Sequence, residues 1–327
     1  MASLTSNSQS QPEPARGEYR GIHWLVMLLA CLTVLLLVAG ALVTSNEAGD
    51  SVPDWPMSFG RWLVGSRQFV GNVRYEYSHR VVAGAVGSVT LLAAVVIWTR
   101  EKLRGRFGRL VLAALLGVVF QAGLGGIRVL LPAYKAPIAI VHAFIAQGFF
   151  CLVVCLALVT SAGWNDYKPA RPQVSKSSLT LLSSLAVAVV MVQLVLGAAY
   201  RHGVFPIGWH IGGAVTVLFF VLATAVTIYK DHSKDRYLMR PSLTMCGLLV
   251  CQIGLGIGAY VARLASVNDP QPLEPMISLT VAHVVVGALT LAAVLVVALR
   301  CHQVLGTQVR RQFVDVSQTA GLRPGVT

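Results

Sequence analysis

Eight long runs of apolar residues, separated by short polar segments, divide most of the chain. Each run is close to the roughly 20 residues that an α-helix needs to cross about 30 Å of hydrocarbon. The runs are continuous and rich in Leu, Val, Ala and Gly, whereas strands of a membrane barrel would alternate apolar and polar residues. The pattern therefore predicts eight membrane-spanning helices. They lie near residues 22–44, 78–99, 108–130, 137–161, 178–200, 207–229, 241–263 and 277–300.

Composition and charge agree with an all-α integral membrane protein. Of the 327 residues, 55% are hydrophobic and 12% are charged, which excludes an ordinary water-soluble domain. The net charge of +13 would suit nucleic-acid binding, but 18 of the 26 Lys and Arg residues lie on the N-terminal side of the predicted membrane. The positive-inside rule then places both termini in the cytoplasm. We expect a membrane lipid environment and no nucleic-acid partner.

A short motif repeats along the chain and predicts its organisation. The pattern Gln-x-x-Leu-Gly begins at Gln121, Gln193 and Gln252, and the first span keeps only Gly40 of it. Each copy lies near the outer end of a span and precedes a span that carries a histidine. The repeating unit is therefore a helical hairpin, and four hairpins make two similar four-helix halves. The predicted divisions are a cytoplasmic tail 1–21, an N-terminal half 22–162, a cytoplasmic linker 163–177, a C-terminal half 178–300 and a cytoplasmic tail 301–327.

Four histidines lie near the outer ends of four different spans: His79, His142, His210 and His283. An imidazole in hydrocarbon is costly, so four at matching depth indicate a bound metal or metallocofactor. A small residue follows each histidine by four positions, on the same helix face, and leaves a shallow patch where a flat macrocycle could lie. Small residues also simply let membrane helices approach closely.

Two histidines that face each other inside one four-helix half can supply both axial ligands of a haem iron. The hairpins pair His79 with His142, and His210 with His283. Zinc or copper is the alternative, with all four histidines on one ion. The division between two halves favours separate sites, and no cysteine or carboxylate motif supports a structural zinc. For any single histidine, a hydrogen bond to a neighbouring carbonyl is the plainer interpretation.

One acidic residue and several basic residues accompany the first histidine pair. Glu76 lies three residues before His79, on nearly the same helix face. It is either the partner of an exposed ion pair with Arg80 or a carboxylate placed over the first site as a proton acceptor, and spacing alone does not decide. Arg80, Arg128 and Arg201 are candidate contacts for haem propionates, with membrane-headgroup anchoring as the alternative.

The cysteines and the N-terminal segment indicate the compartment. None of the six cysteines falls in a predicted outer loop, so no loop disulfide is expected there. The N-terminal segment carries Glu13 and Glu18 and lacks both an apolar signal core and the character of a transit sequence. We expect a bacterial plasma membrane protein with its histidine sites toward the outer face.

Several segments resemble a known family. They are Gly40-Ala-Leu-Val-Thr-Ser, Ser51-Val-Pro-Asp-Trp-Pro, Glu76-Tyr-Ser-His-Arg and Gly125-Gly-Ile-Arg. Together with the histidines and the repeated hairpins, they are similar to the haem A synthases that serve assembly of aa3-type terminal oxidases. The resemblance implies eight helices in two similar halves. It also implies conversion of haem O to haem A, in which successive hydroxylations, with water as oxygen source, oxidise a porphyrin methyl to a formyl group.

The resemblance also implies residue roles. His79 and His142 would bind the substrate haem O with Glu76 as the catalytic carboxylate, and His210 and His283 would hold haem b as cofactor. Haem O synthase and terminal-oxidase assembly factors are the implied partners, and a homo-oligomer is a further candidate assembly. Some members carry a cysteine pair in the first outer loop, whereas residues 46–75 here contain none. A mechanism that needs that pair cannot operate in this chain.

Two other functions compete with a haem-modifying enzyme. A dihaem b-type electron-transfer protein would use the same four histidines, and only Glu76 and the family motifs favour the enzyme over it. A haem or metal transporter has little support, because no charge relay reaches the cytoplasmic side. In the first outer loop, Asp54 and Trp55 either shape the site or make a turn, and we favour turn formation and packing.

Overall fold

The computed structural model describes residues 16–167, 177–265 and 273–321, and these form helices joined by loops. Parts of the predicted tails and linker, namely residues 1–15, 168–176 and 322–327, lie outside the described residues. The helices are α1 Arg16–Ser45, α2 Val73–Trp98, α3 Glu101–Leu130, α4 Lys135–Thr160, α5 Ala162–Asn165, α6 Ser177–Arg201, α7 Ile207–His232, α8 Arg236–Ala265 and α9 Glu274–Gly321.

Eight of these helices are long and apolar enough to cross a membrane, so the predicted all-α membrane architecture is confirmed. The helices extend beyond the predicted spans. Helix α2 begins at Val73 rather than residue 78, and α9 continues to Gly321, well into the predicted tail. Apolar run length reports only the segment that hydrocarbon surrounds, whereas backbone hydrogen bonding continues through polar turns at either end. One consequence is that Glu76 is helical.

The helix contacts divide the molecule into two groups. Helix α1 packs against α2 and α4, and α3 packs against α2 and α4, while α6 to α9 repeat this arrangement. The groups meet where α4 contacts α6 and α9 and where α1 contacts α9. The predicted division into two halves with these bounds stays a prediction. The similarity of the halves and the orientation in the membrane stay predictions.

The hydrophobic core of each group fills the end opposite the histidines. In the first group it includes Val26, Ile97, Phe107 and Leu156. In the second group it includes Leu179, Ile228, Met245 and Val297. These residues come from the beginnings of α1, α3, α6 and α8 and from the later parts of α2, α4, α7 and α9. Close packing at one end leaves the other end of each group, which we call the histidine end, to be built from imidazoles, glutamines and glycines.

Candidate functional site

Each of the four histidines lies against a glycine of the preceding membrane helix. A Cβ placed on Gly197 would be 2.9 Å from Cε1 of His210, and one on Gly256 would be 2.8 Å from Cε1 of His283. The corresponding contacts are 4.0 Å for Gly125 with Cε1 of His142 and 3.4 Å for Gly40 with Nε2 of His79. These glycines end the sequence repeat. Because glycine has no side chain, the imidazole can lie directly on the helix backbone.

The glutamine that begins each repeat also contacts the following histidine. Nε2 of Gln121 donates to the backbone oxygen of His142 at 3.0 Å, and Nε2 of Gln193 donates to that of His210 at 2.9 Å. At the third repeat, Nε2 of Gln252 lies 3.3 Å from Nε2 of His283. We call each glutamine and the glycine four residues after it a glutamine-glycine cradle. The sequence marked these residues as a hairpin repeat but did not assign them this contact.

The structure brings His210 and His283 together within the C-terminal half. Their ring centroids are 6.1 Å apart and their planes are inclined by 80°. Two metal–imidazole bonds of about 2.0 Å each, plus a ring radius of about 1.1 Å at either end, span nearly the same distance. Nδ1 of His210 is buried and has no hydrogen-bond partner among the described residues. The spacing and the imidazole donors therefore fit an iron ion held between the two rings.

The N-terminal pair is assembled from α2 and α4. The imidazoles of His79 and His142 are close enough to interact electrostatically, and Arg128 is near both. Nδ1 of His142 is buried without a hydrogen-bond partner in the described part of the chain. This unsatisfied ring nitrogen and the adjoining glycines fit a flat group with a central metal, as in the C-terminal half.

The described residues do not support a single metal ion shared by all four histidines. Within residues 16–167, 177–265 and 273–321, no group of three or more His, Cys, Asp or Glu side chains is placed to hold a metal ion. All six cysteines are free thiols on helices. Cys151 and Cys155 share one face of α4, where Cys151 packs beside the core of the C-terminal half.

Glu76 is buried, with 5% of its surface exposed. Its Oε1 lies 2.7 Å from Nη2 of Arg80, and its Oε2 accepts a hydrogen bond from the backbone N–H of Val52 at 2.9 Å. The ion pair weighed from the sequence is therefore present, but in a buried rather than an exposed setting. Both oxygens have positively polarised partners, which holds the carboxylate in one position. A role as proton acceptor stays a prediction.

Arg80 holds the first loop, residues 46–72, over the histidine end of the N-terminal half. Its guanidinium donates to the backbone oxygens of Asp54 at 2.7 Å, Met57 at 3.0 Å and Val52 at 3.2 Å, besides the carboxylate of Glu76. Four of its five N–H donors are thus directed to the protein, which leaves one for any other acceptor. The described contacts favour a structural position for Arg80 over the predicted propionate contact.

Asp54 and Trp55 form the turn at the centre of this loop. The Asp54 carboxylate accepts hydrogen bonds from the backbone N–H groups of Phe59 and Gly60, both at 2.7 Å. These bonds, chiefly the one from Gly60, lower the pKa of Asp54. The Trp55 ring covers α3 so closely that a Cβ on Gly126 would lie 2.6 Å from its Cδ2. The predicted turn and packing role of the two residues is confirmed.

The other two predicted arginines, Arg128 and Arg201, lie where the two halves meet. Arg128 donates to the backbone oxygen of Gly49, and Arg201 donates to that of Thr44 at 3.1 Å, across the boundary between α6 and α1. His202 lies near both arginines, and burial together with their charges lowers its pKa. Arg128, Arg201 and His202 therefore form one basic cluster, as a propionate site would require. The two arginines also connect the first loop to α3 and the C-terminal half to the N-terminal half.

Comparison with known proteins identifies relatives. Residues 22–204, more than half of the chain, match the family described as cytochrome oxidase assembly protein. This region contains His79 and His142 but ends before His210. The heme A synthase of Halalkalibacterium halodurans is 29% identical over 42% of this chain and 45% of that protein. The heme A synthase of Shouchella clausii is 28% identical over 56% of this chain and 60% of that protein.

A third relative aligns over more of its length. The heme A synthase of Rhizorhabdus wittichii is 23% identical over 84% of this chain and 91% of that protein. In the first two matches, by contrast, the chain spans only about half the length of the relative.

Proposed function

Since the chain belongs to the family of cytochrome oxidase assembly proteins, we propose that it is a haem A synthase, a membrane oxidoreductase that converts haem O to haem A for aa3-type terminal oxidases. One observation carries the proposal. Four histidines pair at glycine-lined ends of two helix groups, and among the residues that the structure describes a buried carboxylate accompanies only the pair that contains His79. A protein that used both histidine pairs in the same way, as electron-transfer sites, would not need a buried carboxylate at one pair alone. The relatives named heme A synthase support the same reaction.

The two histidine pairs then have different roles. His79 and His142 bind haem O as substrate, and the adjoining Gly40 and Gly125 admit it next to the helix backbones. His210 and His283 bind haem b, which supplies a one-electron redox centre when bound. The contacts of the C-terminal pair with Gly197 and Gly256 are the shorter ones, as expected of a permanent ligand set.

Glu76 is the residue that we assign to proton transfer. Oxidation of a methyl to a formyl group with water as oxygen source releases protons and electrons in equal number. A carboxylate three residues before His79 on the same helix face can accept those protons at the substrate. Arg80 and the N–H of Val52 hold it in position, and only 5% of its surface is exposed.

The protein is a multi-pass membrane protein, and we assign it to the bacterial plasma membrane with both termini in the cytoplasm and the histidine end outside. Haem O synthase is the expected donor of substrate, terminal-oxidase assembly factors are the expected recipients, and self-association is a further candidate. Arg128 and Arg201 are the expected partners of haem propionates, because their guanidinium groups lie in the basic cluster at this end.

Chromatography of extracted haems tests this function. The protein is purified from a host that makes haem O, and its haems are separated after acid extraction. Haem O or haem A together with haem b supports the synthase. Haem b alone, in an amount that fills both sites, would instead identify a dihaem electron-transfer protein.

A further inference from the structure

Three of the four histidines have a complete glutamine-glycine cradle, and His79 does not. The position on α1 that corresponds to Gln121, Gln193 and Gln252 lies four residues before Gly40 and is Leu36. A leucine side chain has no donor, so α1 offers His79 the glycine without the amide. Leu36 instead packs against the hydrophobic core of the N-terminal half. The amide is thus missing only from the N-terminal site, and there only on the side of His79.

The His79 ring also meets its glycine through a different edge. At the other three sites the imidazole atom nearest to the glycine is Cε1. From a Cβ placed on Gly40, the nearest atoms would be Nε2 at 3.4 Å and Cδ2 at 3.5 Å. Ring orientation therefore separates His79 from the other three histidines independently of the glutamine.

Amide contacts of this kind restrain a ligand histidine. A hydrogen bond from a neighbouring helix to the backbone carbonyl of a histidine holds that part of its helix in place. Gln121 holds the backbone of His142 against α3 in this way, on the other helix of the same site. We propose that His79 is the displaceable axial ligand of the substrate haem and that His142 is the retained one. This inference rests on the proposed function, since it takes both residues as ligands of the substrate.

Displacement is a ligand exchange without oxidation or reduction. The bond between iron and Nε2 of His79 breaks, a bond between iron and the entering molecule forms, and the neutral imidazole keeps its electron pair. Glu76 lies on the same face of α2, three residues before His79. The side of the substrate that opens is therefore the side that the carboxylate borders.

Carbon monoxide measures how readily His79 leaves the iron, because this gas binds ferrous haem only where an axial ligand has left. The full-length protein in detergent, carrying haem O in the N-terminal half, is reduced and mixed with carbon monoxide. We expect binding at the haem O site, with the haem b spectrum unchanged as a measure of correct folding. Leu36→Gln supplies the missing amide and is expected to slow binding relative to wild type. Leu35→Gln is the matched control, because it makes the same change at the neighbouring position, where the side chain is 49% exposed.

Single histidine variants provide a second measurement. We expect His79→Ala to retain haem O and bind carbon monoxide faster, and His142→Ala to lose haem O. Three results would each overturn the inference. They are equal binding rates for Leu36→Gln and wild type, no carbon monoxide binding by wild type, and retention of haem O in His142→Ala but not in His79→Ala. The proposed function fails differently. In that case the N-terminal half holds haem b and no haem O, while the rate comparison at Leu36 still reports on His79.

Discussion

Nδ1 of His283 lies 3.1 Å from the backbone carbonyl oxygen of Gln252, across the contact between α8 and α9. A carbonyl oxygen can only accept, so Nδ1 must carry the proton of a neutral imidazole. Nε2 then has the free electron pair, and the Gln252 amide lies 3.3 Å from it. Orientation by a carbonyl is the usual arrangement for a metal-binding histidine, whose second nitrogen is then the ligand.

A methyl group on Gly256 should disrupt this site. In Gly256→Ala the Cβ would lie 2.8 Å from Cε1 of His283, so the ring must shift, at a cost of about 1–3 kcal/mol. We expect reduced haem b content, measured by the pyridine haemochrome spectrum per protein. Gly254→Ala on the same helix is the control, because no atom lies within 4 Å of its Cβ. Equal haem b content in the two variants would contradict the assigned ligand set.

Removal of the charge on Glu76 should separate binding from chemistry. Glu76→Gln is expected to retain bound haem and to lose formyl formation, because an amide cannot accept the protons released by methyl oxidation. Chromatography of the extracted haems should show haem O without haem A. Glu101→Gln makes the same change at the exposed start of α3 and should form haem A normally. A normal amount of haem A in the Glu76 variant would contradict the catalytic role of this residue.

Loss of Arg80 should release the first loop. Arg80→Ala removes four hydrogen bonds and leaves the buried carboxylate of Glu76 without its cation, which typically costs about 3–5 kcal/mol. We expect faster hydrogen exchange in residues 46–72 and unchanged haem b content. Arg74→Ala is the control, because this exposed arginine contacts the hydroxyl and ring of the adjacent Tyr75 and should contribute about 0–1 kcal/mol. Equal exchange in both variants would show that Arg80 does not hold the loop.

The turn at Asp54 should be sensitive to acid. Its carboxylate accepts two backbone hydrogen bonds, so the pKa in the folded protein is lower than the value of about 3.9 in an unfolded chain. A lowered pKa gives a stabilisation that is complete above the unfolded value and is lost as the pH falls through the folded value. Exchange of the Phe59 and Gly60 amides, corrected for intrinsic rates, should accelerate only in that acidic range. Asp54→Asn should exchange faster at neutral pH and show no such step.

Sequence reasoning reached the architecture and the site residues because both leave signals along the chain. Run length is set by bilayer thickness, and costly histidines in apolar segments stand out against it. Repetition of Gln-x-x-Leu-Gly also marked the residues that contact those histidines, although their role was not evident. The contact joins two helices, and hydropathy does not specify the rotation of one helix against the other.

Eight membrane-spanning helices and four histidines within them follow from the sequence without any tertiary contact. The reason is that only long apolar runs can cross the hydrocarbon layer, and such runs are visible along the chain. The packing of the helices shows that Arg80 binds the first loop, that Glu76 is buried in an ion pair, and that Leu36 leaves His79 without the glutamine contact that the other three histidines have. These relationships depend on which side chains converge between helices. Spacing along one helix fixes a common face, but depth and rotation of the neighbouring helix decide what that face meets.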